Sequence, residues 1–233
     1  NIERRERGVY ARNAVAYLPQ PCQHCQVAHC MKAGPDVIAR REDGIIMIDP
    51  VKAQGRQDLV DSCPFGAIWW NEEANVPQKC TMCAHLLDDP NWKPGVPRCV
   101  HSCPTGAQSF YEMEEEEFAA FAKKEGLEGH RTSELKNAPH VLYKNLHKYT
   151  KNFISAGVLM NGDCFEGATV TLKNASGAVT SQKTNFFGEF KFDGLENGEY
   201  TVEIDAGGVA TSYPAVIASA SLNLGFIKLE TAK

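Results

Sequence analysis

No stretch of this 233-residue chain approaches the roughly eighteen consecutive apolar residues that a membrane-crossing helix needs. The longest quiet run, "FISAGVLM" from Phe153, is the length of a strand, so the chain is expected not to span a membrane by itself and to be soluble in the cytoplasm. A basic patch is also missing. Its 24 Lys and Arg are scattered among 29 Asp and Glu, for a net charge of −5, which argues against a nucleic-acid partner. No nucleophile–base pair and no glycine-rich phosphate loop is recognisable, so no catalytic residue is assigned. The chain starts at Asn1 rather than at a methionine, and a preceding segment is expected.

The most telling absences are three cysteines. "AQGRQDLVDSCP", residues 53 to 64, ends in the Cys-Pro that closes a bacterial ferredoxin run of the form C-x2-C-x2-C-x3-C-P, yet the three earlier slots hold Ala53, Arg56 and Leu59. A fourth gap lies upstream. "CQHCQVAHCMKAGP" supplies Cys22, Cys25 and Cys30, but the position four residues after Cys30, just before Pro35, is Gly34.

What is present is cysteine in quantity: nine in all, eight of them between Cys22 and Cys103. Disulfides suit small secreted domains short of core, whereas C-x2-C loops, adjacent prolines and a chain of this length argue for ligation. A tetrahedral zinc site would use two C-x2-C knuckles, Cys22/Cys25 with Cys80/Cys83, and leave Cys30, Cys63, Cys99 and Cys103 unexplained. A zinc-binding scaffold is thus the alternative of another class. Iron–sulfur ligation uses all eight, and both closing cysteines stand in the matched contexts "CPFGA" and "CPTGA".

In two-cluster ferredoxins the cysteine before proline ligates the other cluster of its pair. Crossing the ends assigns Cys22, Cys25, Cys30 and Cys63 to one complete [4Fe-4S] cluster. The remaining slots, Gly34, Ala53, Arg56 and Leu59, are all non-ligands, so one site is whole and its neighbour wholly gone. The second set, "CTMCAHLLDDPNWKPGVPRCVHSCP", offers Cys80, Cys83, Cys99 and Cys103. By the same rule these need partners from a four-cysteine run upstream of Asn1, giving three clusters in the complete protein; a single cluster from these four alone is the rival.

His24, His29, His85 and His101 lie near the ligands and are read as outer-sphere or surface groups, Trp69 and Trp70 as packing, and Cys164 as a buried thiol. "EMEEEEFAAFAKKEG" predicts a capped helix, with acids first, lysines last and Gly126 after. From Phe153 onward short alternating runs, "ATVTLK", "EFKFD", "YTVEID" and "LNLGFIKL", are separated by the turn signals "NASG", "NFFG", "LENG" and "GG". About seven strands in about eighty residues predict an antiparallel β-sandwich. The expected fold is therefore α+β: a ferredoxin-like module over 1–126, a connecting arm over 127–152 and a sandwich over 153–233.

"TNFFGEFKFDGLENGEYTVEI" resembles the prealbumin-like (Cna-B type) domains of adhesins and carboxypeptidase regulatory regions. With the cluster runs, and with "NIERRERG", "CTMCAHLLDD" and "DCFEGA", the whole chain resembles the iron–sulfur β subunits of the dimethyl sulfoxide reductase family of molybdenum enzymes. The resemblance implies an electron-transfer subunit that is not itself catalytic. It also implies a heterodimeric partner, a large catalytic subunit that holds molybdenum through two pterin guanine dinucleotides. The order of a ferredoxin module with one extinguished cluster and then a sandwich resembles members whose partner moves hydroxyl groups between polyhydroxylated benzenes in a redox-neutral exchange. The runner-up is a reductase of sulfur, nitrogen or arsenic compounds.

Overall fold

The computed structural model describes residues 1–9 and 12–231. They form two compact units, one of residues 1–3 and 19–145, the other of residues 4–18 and the chain from Leu146 onward. The first strands, β1 (Ile2–Val9) and β2 (Arg12–Pro19), make a hairpin. Most of it belongs with the sandwich, although sequence order places it ahead of the cysteines.

The cysteine unit is built from short pieces. After α1 (His29–Ala33) come the hairpin β3 (Ile38–Arg40) and β4 (Ile46–Ile48), a 3-10 helix (Gln57–Ser62), and the hairpin β5 (Ile68–Asn71) and β6 (Val76–Lys79). The single turns α2 (Ala84–Leu87) and α3 (Arg98–His101) carry the later cysteine region. Next comes α4 (Glu115–Glu125), the expected capped helix. Three glutamates occupy its first turn, two lysines its last, and Gly126 ends it with φ 64°, a left-handed conformation that glycine adopts without a Cβ penalty. A two-residue ladder of β7 (Leu127–Glu128) with β8 (Tyr143–Lys144) brackets the short helix α5 (Thr132–Leu135).

The stretch read as a connecting arm is thus divided. Up to Asn145 it is part of the cysteine unit, and α6 (His147–Thr150) opens the return to the sandwich. Its lack of a sustained hydrophobic period reflects turns held by backbone hydrogen bonds rather than by an apolar face.

The sandwich has two four-stranded sheets. One contains β9 (Asn152–Met160), β10 (Asp163–Cys164), β13 (Glu189–Leu195) and β16 (Leu222–Leu229); the other runs β12 (Gly177–Lys183), β11 (Thr169–Asn174), β14 (Gly198–Ala206), β15 (Val209–Ile217). The four turn signals fall between β11 and β12, β12 and β13, β13 and β14, and β14 and β15. Alternate residues, Val170 and Leu172, Phe190 and Phe192, Val202 and Ile204, Ile227 and Leu229, fill a common core. Two details depart from expectation. Against about seven expected strands the described residues form eight, and β16 pairs with β9 in parallel, which is open to it because the whole sandwich sequence separates the two. Cys164 is exposed, not buried: β10 is a two-residue edge strand paired only with the end of β9, beyond the core.

β9 is buried on both faces, and the hairpin explains why. Phe153 points away from the core and lies under the hairpin, where a Cβ on Gly8 would come within 2.6 Å of its ring. Gly8 has φ 83°, so the approach and the backbone both require glycine. Arg7, 4% exposed, stacks over the same ring at 5.4 Å and pairs with Asp193 at 2.7 Å. Arg12 reaches Glu189 at 2.7 Å. Burial alone would raise the Asp193 carboxyl, but the Arg7 hydrogen bond, the Gly194 N–H and the charges of Arg7 and Lys191 outweigh it and hold the carboxyl below its ordinary range.

A carboxyl depressed in the folded state contributes stability above its unfolded value and loses it as the pH falls through the folded one. Arg7→Met is therefore expected to cost about 2–3 kcal/mol at neutral pH, since a hydrogen-bonded and largely buried pair is broken. Thermal unfolding of the full chain should show this gap near pH 7 and a narrowing gap below the ordinary carboxylate range; an equal gap at both pH values would contradict the assignment.

Candidate metal centre

Cys22 lies in the extended segment after β2, Cys25 follows a tight C-x2-C loop in which His24 takes φ 44°, Cys30 sits in α1, and Cys63 ends the 3-10 helix. Cys22 and Cys30 are buried, Cys25 and Cys63 half-buried. The fold brings the four together. Burial pushes the Cys22 thiol up; Lys79 and the His24 N–H oppose this, while the Cys63 and Cys80 thiols add to it. Burial likewise raises Cys25, against an Asn137 hydrogen bond and with Cys22 and Cys63 adding. Cys30 is pushed up to about 11, first by burial and then by Cys22 and Cys63. Cys63 thus acts on all three cysteines that precede it by more than thirty residues.

Such a set resists ionisation when it has only itself for company. Four clustered thiolates become stable where a multivalent cation neutralises them, and metal binding then releases their protons. The donors around them suit sulfur ligands. Asn137, fully buried, donates its Nδ2 to Cys25 Sγ at 3.1 Å, the Met82 N–H donates to Cys80 Sγ at 3.4 Å, and the backbone N–H groups of His24 and Met31 serve Cys22 and Cys30. Among the described residues, no three Cys, His, Asp or Glu side chains converge on a point one ion would occupy.

Asn137 escaped the sequence reading, because one asparagine in a segment without period carries no signal. Its segment holds the C-x2-C loop like an added strand: Gln26 N–H donates to Ala138 O at 2.7 Å, Val27 N–H to Asn137 O at 3.0 Å, and His140 N–H to Gln23 O at 2.9 Å. His24 is not a surface group. It is buried, its Nδ1 accepts the Ile46 N–H at 3.0 Å, and burial, Lys79, His140 and Arg40 together press its pKa down to about 3, so it stays neutral. The proton therefore sits on Nε2. His29 bonds the Leu135 carbonyl at 3.2 Å and His101 lies edge-on to Trp92. Trp69 is 45% exposed rather than packed, on the outer face of the β5/β6 hairpin.

In the second set, Cys80 and Cys83 flank a left-handed Met82 at φ 52°, and Cys99 is the second residue of α3. Cys99 is raised by partial burial and by the nearby Cys80 and Cys83. Cys103 behaves oppositely: the Thr105 hydroxyl and neighbouring backbone N–H groups bring it down to about 7.

The four positions where the ferredoxin spacing would call for further ligands have another fate. Ala53 and Leu59 are completely buried in an apolar cluster with Ala28, Val37, Ile38, Ile46, Ile68 and Cys30. A Cβ on Gly34 would stand 2.8 Å from Leu59 Cδ2, so the leucine occupies the space beside the empty slot. Arg56 turns outward to Asp58 at 2.9 Å and Asp36 at 3.6 Å. Hydrocarbon occupies the space between Gly34 and Leu59. Gly34→Ala should cost about 1–3 kcal/mol by overpacking and Leu59→Ala about 2–5 kcal/mol by leaving a cavity. In the double variant the alanine methyl enters the space Leu59 has vacated, so the measured loss should fall short of the sum; strict additivity in denaturant unfolding would refute the contact.

Two family models match the chain, one on either side of the connecting stretch. A 4Fe-4S dicluster domain matches residues 13–113 and a carboxypeptidase regulatory-like domain matches residues 158–226. The pyrogallol hydroxytransferase small subunit of Pelobacter acidigallici is 55% identical over 229 residues, 98% of this chain and 83% of that protein. The beta subunit of perchlorate reductase from Dechloromonas aromatica is 36% identical over 99 residues, 41% of this chain and 28% of that protein. The beta subunit of selenate reductase from Thauera selenatis is 30% identical over 99 residues, 42% and 29% of the respective chains. Near-complete likeness to the first and partial likeness to the others lead to one conclusion: the chain belongs to the iron–sulfur small subunits of the pyrogallol hydroxytransferase type, within the dimethyl sulfoxide reductase family of molybdenum enzymes.

Proposed function

We propose that this chain is the electron-transfer subunit of a molybdenum enzyme that moves hydroxyl groups between polyhydroxylated benzenes, pyrogallol to phloroglucinol. Cys22, Cys25, Cys30 and Cys63 hold one [4Fe-4S] cluster, and Cys80, Cys83, Cys99 and Cys103 serve two more, completed by cysteines upstream of Asn1. The observation that carries this reading is the gathering of Cys63 with Cys22, Cys25 and Cys30 in a buried, N–H-lined setting. Clusters of this kind supply one-electron transfer. The chain's own residues shield Cys22 and Cys30 from water, and they donate hydrogen bonds to Cys22, Cys25, Cys30 and Cys80.

Catalysis belongs, on this reading, to a large partner subunit carrying molybdenum on two pterin guanine dinucleotides. The perchlorate and selenate reductase relatives match 41% and 42% of this chain, whereas the hydroxytransferase relative matches 98% of it. That extent favours hydroxyl transfer over a reductase. A zinc scaffold would draw four sulfurs to within about 4 Å of one another around one ion. Eight cysteines, with both closing ones in matched Cys-Pro contexts, favour iron–sulfur ligation over a four-sulfur zinc site, which would leave Cys30, Cys63, Cys99 and Cys103 unused.

Iron and acid-labile sulfide in the assembled enzyme test the ligand set. Cys63→Ala is expected to lose one cluster, about four iron, while Arg56→Ala keeps the full content. Equal loss in both, or zinc in place of iron and sulfide, would overturn the assignment. Activity with pyrogallol separates hydroxyl transfer from the reductase alternative.

A further inference from the structure

Lys79 closes β6 directly before Cys80, and its side chain is buried. Its ammonium donates to the Ile46 carbonyl on β4 and, at 3.0 Å, to the carbonyl of Cys80. Ile46 in turn gives its N–H to His24 Nδ1. One residue of β4 is thereby held from both sides, by Lys79 at its oxygen and by His24 at its nitrogen, and the ammonium has a fixed position. Both partners of the ammonium are neutral carbonyls. Among the described residues no carboxylate forms an ion pair with it, so a whole positive charge stands in the interior. The charge stands beside the sulfur ligands: its anchor Ile46 is bonded to His24, between Cys22 and Cys25, and its other acceptor is the carbonyl of Cys80.

We propose that Lys79 is a potential-setting residue: its buried, carbonyl-anchored positive charge favours the reduced form of the centre held by Cys22, Cys25, Cys30 and Cys63. The inference rests on the ligand set proposed above. Reduction adds one electron, and hence one negative charge, to a centre already carrying four thiolates. An interior cation stabilises that added charge more strongly than a surface one, because water screens it less. One other cation is close, Arg40, whose guanidinium donates to the Cys25 and Gln26 carbonyls and stays in place in every Lys79 variant. Asn137 and the backbone N–H groups donate neutral hydrogen bonds, and His24 is uncharged, so removing the ammonium removes one whole charge and leaves the other local groups as they are. Lys79 sits beside Cys80 as well as near Cys22, so the same charge also bears on the centre that Cys80 serves.

The test is a mediated redox titration of the enzyme assembled with its large subunit, followed by electron paramagnetic resonance, with iron and sulfide measured on the same samples. Lys79→Met, of similar length and without charge, is expected to keep its iron and to make reduction of at least one cluster about tenfold less favourable, a downward shift of about 59 mV for one electron. Lys79→Arg keeps the charge and should stay near wild type. Should the methionine variant fail to assemble, Lys79→Gln, which retains an N–H donor for the Ile46 carbonyl, takes its place under the same criteria. Unchanged midpoints in the iron-replete neutral variant, or equal shifts in the neutral and arginine variants, would overturn the charge role. Failure of the ligand set shows separately, as an iron and sulfide content unaffected by loss of Cys63.

Discussion

Buried thiols repel one another as soon as they ionise, and that repulsion is the constraint around which the cysteine unit is organised. Three thiols from one loop and α1 are joined by a fourth from the 3-10 helix, and each of the three is made harder to ionise by burial and by its neighbours. The surrounding structure answers with dipoles and cations: Asn137 on Cys25, backbone N–H groups on Cys22 and Cys30, Lys79 anchored on β4, and Arg40 on the Cys25 carbonyl. Its small hairpins and single-turn helices have little core of their own. The thiols and the apolar cluster beside them are what those pieces have in common.

That apolar cluster is the counterpart of the ligand set. A ferredoxin-like path that lost four ligand positions would be left with a cavity, which interiors do not tolerate cheaply. Leu59 fills the space, Gly34 makes room for it, and Arg56 leaves for the surface. On the proposed ligand set, hydrocarbon contact stabilises one of the two places and sulfur ligation the other.

Much of this was readable in the chain. Cysteine spacing put Cys63 with Cys22, Cys25 and Cys30, thiols that the fold sets close enough to act on one another, and the non-cysteine residues Gly34, Ala53 and Leu59 mark where apolar packing lies beside them. The sandwich announced itself by alternation and by four turn signals, each of which lies between consecutive strands. What escaped was long-range and unpatterned. Asn137 acts through one side-chain amide in an irregular segment. The hairpin's place in the sandwich unit depends on Arg7 meeting Asp193 and on Gly8 admitting Phe153, contacts spanning most of the sequence. Parallel pairing of β16 with β9 leaves no local trace, and Cys164 lies at an edge where hydropathy does not decide exposure.

The division of the chain has a further physical meaning. Residues 4–18 and the stretch after Leu146 complete one body, so the cysteine-bearing segment between them is an insertion whose two ends are fastened to a single scaffold. Fastening both ends restricts the excursions open to that segment before it folds, and so reduces the entropy it must surrender in assembling its scattered sulfurs. The β-sandwich would then serve here as a splint. It also cannot be finished during synthesis until its last strand has emerged, long after its first hairpin was made.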